Sequence, residues 1–163
     1  MIRPATASDA PAIAAIYNPY IAGTTISFEE NQVSDQEMAQ RIKDVTVNLP
    51  WYVFESDGQI VGYAYATPWR TRCAYRLSVE SSVYIAAKHA GKGIGTQLYR
   101  TLIDGLRQRG ICVVIGGIAL PNSASIALHE RIGFEKVAHF KKVGRKFEQW
   151  IDVGYWELMM NGD

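Results

Sequence analysis

The residues whose types and spacing are best suited to chemistry form a glycine-rich turn, Lys88-His89-Ala90-Gly91-Lys92-Gly93-Ile94-Gly95-Thr96. This turn follows a segment with strand-like alternation and precedes a segment with the period of an amphipathic helix. Glycines permit backbone conformations that direct successive amide hydrogens at one anion, and the start of a helix adds favourable electrostatic potential. The turn is therefore a candidate site for a diphosphate.

Neither common nucleotide-binding fingerprint fits the turn. GxGxxG fails after Gly91 and Gly93 because the third position is Thr96, and no segment matches GxxxxGK[ST]. Considered alone, the turn is explained equally well as a flexible connection between a strand and a helix, because glycine-rich turns are common. The elements around it must decide between the two interpretations.

Caps and apolar spacing predict two helices in the N-terminal part of the chain. Ser8-Asp9 is a candidate cap for the first helix, which has Pro11 near its start. The second helix begins at Ser34, where Ser34-Asp35-Gln36-Glu37 matches a capping box. The segment between them, residues 24–30, has no regular period and is expected to be a loop that borders a pocket.

Three strands are predicted next. Residues 51–55 and 59–66 alternate as strands on either side of Asp57-Gly58, a favoured hairpin turn. The third strand, residues 77–86, places Glu80 near its middle, on the same face as Ser82 and Tyr84.

The C-terminal half is predicted to contain two helices and three strands. A helix over 93–109 is followed by the apolar run 111–115, which is typical of a central strand covered on both faces. Asn122 opens a second helix that Gly133 closes, and the final strands are predicted over 135–143 and 148–159. Together the elements predict one α/β (α+β) domain over residues 1–163, with a mixed, mostly antiparallel central sheet flanked by helices.

Composition excludes several classes of protein. The chain has 163 residues, 48% of them hydrophobic, which suits one domain with a core. Lysine and arginine number 17 against 16 acidic residues, so no strong field favours nucleic acid or a membrane surface as a partner. The N-terminus lacks a signal-like apolar stretch, and no run approaches the roughly 18 apolar residues of a membrane span. We therefore expect a cytoplasmic protein.

Metal and disulfide chemistry are not expected. Cys73 and Cys112 have neither CxxC nor metal-ligand spacing, which favours reduced packing residues. His89, His129 and His139 also lack a ligand-like spacing, so no metal site is predicted.

Two segments resemble the GCN5-related N-acetyltransferase (GNAT) superfamily. Its coenzyme A loop, usually written [QR]xxGx[GA], matches the turn from Ala90 to Gly95, with Ala90 in place of the usual Gln or Arg. That departure removes a side-chain contribution and leaves the backbone groups of residues 91–96. The segment from Asn122 to Phe134 resembles the later motif of the superfamily, with His129 at a position commonly occupied by tyrosine.

The similarity is closer to the phosphinothricin and methionine sulfone or sulfoximine acetyltransferase branch, which also has histidine at the position of His129. The carrying stretches are Ile16-Tyr17-Asn18, Thr25-Ile26-Ser27-Phe28-Glu29, Ser78-Val79-Glu80-Ser81-Ser82-Val83-Tyr84-Ile85 and Trp150-Ile151-Asp152-Val153-Gly154. The resemblance implies the GNAT fold with a sheet splayed at the cofactor site, acetyl-CoA as cosubstrate, and a homodimer. The aromatic residues of the C-terminal strands are equally candidates for the dimer contact or for the core: Trp150, Tyr155 and Trp156.

The resemblance also implies roles in acetyl transfer, which requires an uncharged amine, support for an oxyanion and a proton for the leaving sulfur. Glu80 resembles the family glutamate that removes the ammonium proton. The backbone at Val83, Tyr84 and Ile85 would hold the pantetheine arm and polarise the thioester carbonyl. His129 is the candidate acid, because imidazole can donate a proton near neutral pH.

The binding residues have alternatives. Phe28 and Tyr75 are predicted to line an apolar acceptor pocket, or else to be packing aromatics. Arg72 is predicted to bind the carboxylate, phosphinyl or sulfoximine oxygens of the acceptor, or else to be an ordinary loop charge like Arg70. Asn122 is predicted either to bind the cofactor or to cap its helix.

Three functional hypotheses follow. The preferred one is acetylation of the α-amine of a small amino-acid analogue such as phosphinothricin, methionine sulfone or methionine sulfoximine. The second is acetylation of another amine, such as a protein N-terminus, a polyamine or an antibiotic. The third is a non-catalytic coenzyme A-binding module, suggested by Ala90 and by the many functions that one fold can host. The presence of both Glu80 and His129 argues against the third.

Overall fold

The structure, a computed structural model, describes residues 1–160. The predicted domain of 1–163 therefore extends three residues beyond the described part of the chain. The elements in chain order are β1 (Ile2–Pro4), α1 (Ala10–Gly23), α2 (Asp35–Thr46), β2 (Trp51–Ser56), β3 (Gln59–Pro68), β4 (Ser78–Ile85), α3 (Ile94–Arg107), β5 (Val113–Ala119), α4 (Ser123–Ile132), β6 (Glu135–Lys146) and β7 (Gln149–Met159).

The strands form one sheet in the order β1-β2-β3-β4-β5-β7-β6. Neighbouring strands are antiparallel except β4 and β5, which are parallel and are connected through α3, as a parallel pair requires a crossover. These two strands pair only from Ser78 opposite Val113 to Glu80 opposite Ile115, and then separate. The prediction of a mixed, mostly antiparallel sheet with a splayed opening is confirmed.

A hydrophobic core lies on each face of the sheet. On one face, α3 buries Leu98, Leu102 and Leu106, three of the apolar side chains that repeat with helical spacing. On the other face, α1 and α2 pack Ile13 and Ile42 against β2 and β3. Each such side chain contributes about 1.5–3 kcal/mol when it is fully buried, so the two cores hold the sheet between the helix pairs.

The two predicted helix starts differ in outcome. The Ser34 hydroxyl accepts a hydrogen bond from the backbone N–H of Glu37 at 3.1 Å, so α2 begins as predicted. Asp9 does not cap α1 with its side chain. Its carboxylate is instead bound by Arg3 at 2.8 and 2.9 Å and by the amide of Thr6. The predicted cap is therefore corrected: Thr6 and Asp9 form a capping box on the 3₁₀ turn Ala7–Asp9, which precedes α1.

Several other predictions are corrected in detail. The strand predicted over 111–115 runs from Val113 to Ala119, because it continues through two glycines that weaken the apolar pattern. Cys73, expected to pack, is exposed. Trp156 belongs to the core with 2% of its surface exposed, whereas Trp150 is 59% exposed, so only the latter is available as a contact. None of the helices within residues 1–160 is both long and apolar enough to span a membrane.

Candidate active site

Two cavities meet where β4 and β5 separate. The larger, of about 570 Å³, lies on the α1 side of the sheet. The smaller, of about 60 Å³, lies on the side of α3 and α4. Both are lined by Ser82, Tyr84 and Gly117, so the gap between the strands connects the two faces of the sheet.

Glu80 lies in the larger cavity at the last residue pair between β4 and β5. Within residues 1–160, no group donates a hydrogen bond to its carboxylate. Burial raises the pKa of the Glu80 carboxyl, and the positive charge of Arg70 opposes this rise only in part. A carboxylate without a partner and with a raised pKa is suited to accept a proton.

Two consecutive glycines in β5 make room for side chains on opposite faces. A Cβ on Gly116 would lie 2.6 Å from Cδ2 of His129, which is closer than real contacts allow. A Cβ on Gly117 would lie 3.1 Å from Oε1 of Glu80. Glycine inside a strand therefore marks the close approach of both predicted catalytic side chains.

His129 is buried on the opposite face and belongs to a chain of hydrogen bonds. Its Nδ1 lies 2.7 Å from the carbonyl oxygen of Ser125, and its Nε2 lies 2.8 Å from the hydroxyl of Tyr99. That hydroxyl lies 2.9 Å from Oγ of Ser81. Burial lowers the pKa of His129, so the imidazole is neutral near pH 7.

The backbone amides of Val83 and Ile85 face the gap. The backbone N–H groups along a strand point alternately to its two neighbouring strands. The amide of Ala86 donates to the carbonyl of Val61 in β3, so the amide of Tyr84 also points toward β3. The amides of Val83 and Ile85 therefore point toward β5, which pairs only with the first three residues of β4. In the described chain these two amides therefore have no partner strand.

The glycine-rich turn leads directly into α3. Gly91 and Gly93 have φ values of 76° and 77°, a conformation that favours glycine. No side chain among the described residues caps α3, so the amides of Ile94, Gly95 and Thr96 are available to an anion. The turn thus has the backbone arrangement predicted for diphosphate binding.

Two side chains flank the predicted cofactor path. Lys92 is exposed within the turn and adds a positive charge there. Asn122 caps α4, where its Oδ1 accepts a hydrogen bond from the amide of Ser125 at 3.1 Å. It also lines the smaller cavity, so capping leaves its side-chain NH₂ group as a donor for a ligand.

A second carboxylate in the larger cavity, that of Glu29, is paired. Arg41 donates to its two oxygens at 3.0 and 2.7 Å, and the Tyr17 hydroxyl donates a short hydrogen bond to it. The Arg41 guanidinium holds the pKa of the Glu29 carboxyl below its usual range. This ion pair forms one wall of the cavity.

The loop that carries Glu29 is fixed to β6. The buried ammonium of Lys146 donates to the carbonyls of Ile21 and Ser27 at 2.7 Å each. The ring of Phe28 lies against Gly144, where any Cβ would overlap with it. Phe28 lines the larger cavity, and its contact with an acceptor stays a prediction.

Arg72 and Tyr75 line neither cavity. Both are exposed in the connection between β3 and β4, and their contact with an acceptor stays a prediction. The same connection places Arg70 over Trp69, with 4.3 Å between the guanidinium carbon and the ring centre. Trp69 in turn makes an edge contact with Tyr155 of the cavity wall.

Sequence reasoning did not assign Ser81, Tyr99, Gly116 or Gly117 to the site. The glycine pair carried a usable signal, because glycine within an apolar strand indicates a close approach. Tyr99 carried none, since it occupies the apolar face of a helix where an aromatic residue is ordinary core.

Comparisons with known proteins identify the family. The family model described as an acetyltransferase (GNAT) domain matches residues 2–154. The chain is 38% identical over 156 residues to a phosphinothricin N-acetyltransferase from Streptomyces viridochromogenes, covering 96% of this chain and 85% of the relative. It is 36% identical over 163 residues to an L-methionine sulfoximine/L-methionine sulfone acetyltransferase from Pseudomonas aeruginosa, covering 98% and 94%.

A solved structure with the same fold contains acetyl-CoA. A GNAT-superfamily phosphinothricin acetyltransferase from Sinorhizobium meliloti, in complex with acetyl-CoA, superposes with a TM-score of 0.94 and 35% identity, covering 98% of this chain and 87% of that one. The uncapped start of α3 and the unpaired amides of β4 fit the same cosubstrate. The chain therefore belongs to the GNAT acetyltransferase family and is an N-acetyltransferase that uses acetyl-CoA.

Proposed function

We propose that this enzyme acetylates the α-amine of a small amino-acid analogue such as phosphinothricin, methionine sulfoximine or methionine sulfone. The observation that carries the proposal is the Glu80 carboxylate, which lies in the larger cavity without a hydrogen-bond partner among the described residues. It lies on the same strand as the unpaired amides of β4. The relatives named for acetylating these compounds match nearly the whole chain.

Glu80 serves as the general base. An amino acid carries an ammonium group near neutral pH, and the amine must lose a proton before it can attack a thioester. Burial raises the pKa of Glu80 above that of an exposed glutamate, so the carboxylate is a stronger base. The ammonium proton passes to Glu80 directly or through one water molecule.

Acetyl-CoA supplies the activated acetyl group when it is bound. The amides of residues 91–96 hold its diphosphate, because the turn and the start of α3 present N–H groups without side-chain caps. Val83 and Ile85 hold the pantetheine arm, and their N–H groups polarise the thioester carbonyl. Asn122 adds a side-chain donor, and His129 belongs to the group of residues that supplies a proton to the sulfur.

The charges of the larger cavity constrain the acceptor. Its lining contains the carboxylates of Glu29 and Glu80 but no basic side chain within the described residues. An ammonium group therefore fits beside Glu80. The anionic end of an amino-acid analogue must be bound from outside the lining, for which Arg70 and Arg72 in the connection before β4 are the candidates.

A panel of acceptors tests the proposal. Release of coenzyme A is measured with the three amino-acid analogues, a peptide with a free N-terminus, spermidine and an aminoglycoside. We expect turnover with at least one amino-acid analogue at a kcat/KM above that for the other amines, and loss of that turnover in Glu80→Gln. Preference for spermidine would show that the larger cavity, whose described lining has no basic side chain, selects amines without a carboxylate. That result would refute the proposed substrate class.

The predicted homodimer remains part of the proposal. Several large apolar side chains of the β6–β7 hairpin are exposed: Phe140, Val143, Phe147 and Trp150. These are the candidate contacts. Light scattering on the wild type and on Trp150→Glu should show a dimer and a monomer, respectively, and a monomeric wild type would contradict the prediction.

A further inference from the structure

The hydrogen bonds of His129 fix the position of its proton. The carbonyl oxygen of Ser125 can only accept, so Nδ1, at 2.7 Å, carries a hydrogen. A neutral imidazole has one N–H group, so Nε2 is an acceptor and receives a hydrogen bond from the Tyr99 hydroxyl at 2.8 Å. Neutral His129 therefore has no proton to give toward the gap.

The imidazole ring is also held in place. Tyr99 and Phe134 contact it edge-on, with 5.0 and 5.1 Å between ring centres. The backbone of Gly116 closes its third side so tightly that no Cβ would fit. Turning the ring to release Nε2 would break both of its hydrogen bonds inside a packed site, which costs more than moving a hydrogen along them.

Tyr99 lines the smaller cavity together with His129, and its hydroxyl faces Nε2 of the imidazole. Oγ of Ser81 lies 2.9 Å from the same hydroxyl, and because the phenolic hydrogen goes to Nε2, the tyrosine oxygen is the acceptor in this second hydrogen bond. Ser81 also lines the smaller cavity where the strands part. Burial raises the pKa of Tyr99, so the phenol stays protonated and can donate.

We propose that the Tyr99 hydroxyl delivers the proton to the departing sulfur and that His129 acts through it as the proton source. The relay starts from the form of His129 that has taken up a second proton from solvent, which is the minor form near pH 7 because burial lowers the pKa of the imidazole. In that form Nε2 donates to Tyr99 Oη, and the phenolic hydrogen turns toward the gap. As the bond between the acetyl carbon and sulfur breaks, sulfur takes the phenolic hydrogen and Oη takes the hydrogen from Nε2. The imidazolium and the thiolate both become neutral, and Tyr99 is left unchanged.

This relay rests on the acetyl transfer proposed above, and kinetics test it directly. In Tyr99→Phe the ring remains and the hydroxyl is lost, so we expect single-turnover acetyl transfer to slow by about tenfold to a hundredfold. The KM for acetyl-CoA should change by less than about threefold, because positioning of the cosubstrate is untouched. Tyr52→Phe is the matched control, since Tyr52 packs against Gly105 of α3 and lines neither cavity.

A double variant separates one shared path from two independent roles. If Tyr99 and His129 act in series, Tyr99→Phe combined with His129→Ala should be no slower than the slower single variant. Multiplied losses in the double variant would overturn the relay. An unchanged rate in Tyr99→Phe would overturn it as well.

A measurement without substrate keeps the relay distinct from the proposed function. In protein with ¹⁵N-labelled histidine, neutral His129 should carry its hydrogen on Nδ1, and Tyr99→Phe should shift the Nε2 resonance. A hydrogen on Nε2 in the neutral wild type would overturn the relay even if no tested amine is acetylated. Should Tyr99→Phe fail to fold, rates of the wild type in mixed H₂O and D₂O decide: a linear dependence means a single moving proton and refutes the relay.

Discussion

The two carboxylates of the larger cavity have opposite surroundings. Glu29 is bound by Arg41 and Tyr17, and its pKa is lowered, chiefly by the hydrogen bonds from Arg41. Glu80 has no hydrogen-bond partner among residues 1–160, and burial raises its pKa. Environments that move two pKa values apart assign different roles to identical groups. The paired carboxylate builds the cavity wall, and the unpaired one is free to accept a proton.

The largest expected effect is on catalysis. Glu80→Gln should lower kcat/KM by about a hundredfold to ten-thousandfold, because a carboxamide cannot take the ammonium proton. Glu29→Gln should lower it by no more than about tenfold, since only the wall is disturbed. Steady-state assays compare the two, and binding of acetyl-CoA to both variants by calorimetry is the control. Equal losses in the two variants would contradict the division of roles.

The acid limb of the pH profile should follow Glu80 rather than Glu29. A general base works when it is deprotonated, so kcat/KM falls as the pH drops through the pKa of Glu80, by about tenfold per pH unit below it. Because burial raises that pKa, the midpoint should lie above the usual value of about 4.3. Profiles of the wild type and Glu29→Gln should share this midpoint. A midpoint that moves in Glu29→Gln would show that Glu29, and not Glu80, controls the pH dependence.

Crowding the unpaired carboxylate should have a smaller effect. In Gly117→Ala the new methyl group would lie 3.1 Å from Oε1 of Glu80 and 3.1 Å from the ring of Tyr155, so both must shift slightly. We expect kcat to fall by about threefold to tenfold, as a small misplacement of a catalytic group does. Gly105→Ala serves as the control, because the three atoms nearest its methyl group would all belong to Tyr52, outside both cavities. An equal kinetic loss in the control would point to general strain.

Stability should show the smallest effect, with different signs at the two sites. The folded-state pKa of Glu29 is lowered, so its ionised form stabilises the fold at neutral pH, and this stabilisation is lost as the pH falls. Its side chain is 36% exposed, so after allowance for screening Glu29→Gln should cost about 1 kcal/mol.

For Glu80 the sign is reversed. Its folded-state pKa is raised, so the favourable contribution belongs to the protonated form at acid pH and is lost as the pH rises through that pKa. Glu80→Gln should therefore leave the unfolding free energy at pH 7 unchanged or slightly higher. Chemical denaturation of both variants provides the measurement, and a destabilised Glu80→Gln would reveal a partner for its charge.

The elements of the fold were largely predictable because each has a local signal. The Asp57-Gly58 turn, the apolar spacing in α3 and the cap at Ser34 all lie where the sequence indicates. The end of β5 was not predictable, because Gly116 and Gly117 suppress the strand pattern for a reason that lies in other segments. The room that they leave is filled by Glu80 from β4 and His129 from α4.

The site was predictable only where a motif coincides with a backbone feature. The turn over 91–96 was found because glycine itself permits the required conformation. Glu80 and His129 were assigned through resemblance, and the structure adds what surrounds each of them. Arg41 and Lys146 hold the wall of the cavity from distant parts of the chain, through contacts that no local pattern encodes.

The sheet is held together between β4 and β5 by only three residue pairs among the described residues, which affects how the enzyme responds when acetyl-CoA binds. Strands β1–β4 and β5–β7 are two half-sheets joined by a short seam, and the hydrophobic core around α3 includes side chains from both halves. In the proposed binding mode, the pantetheine arm binds the amides of Val83 and Ile85 and extends that seam as an additional strand would. Acetyl-CoA should then raise the melting temperature by mass action and slow amide hydrogen exchange at the end of β4. The opening proposed for the cosubstrate is also where the sheet has fewer residue pairs than on either side, between β3 and β4 or between β5 and β7.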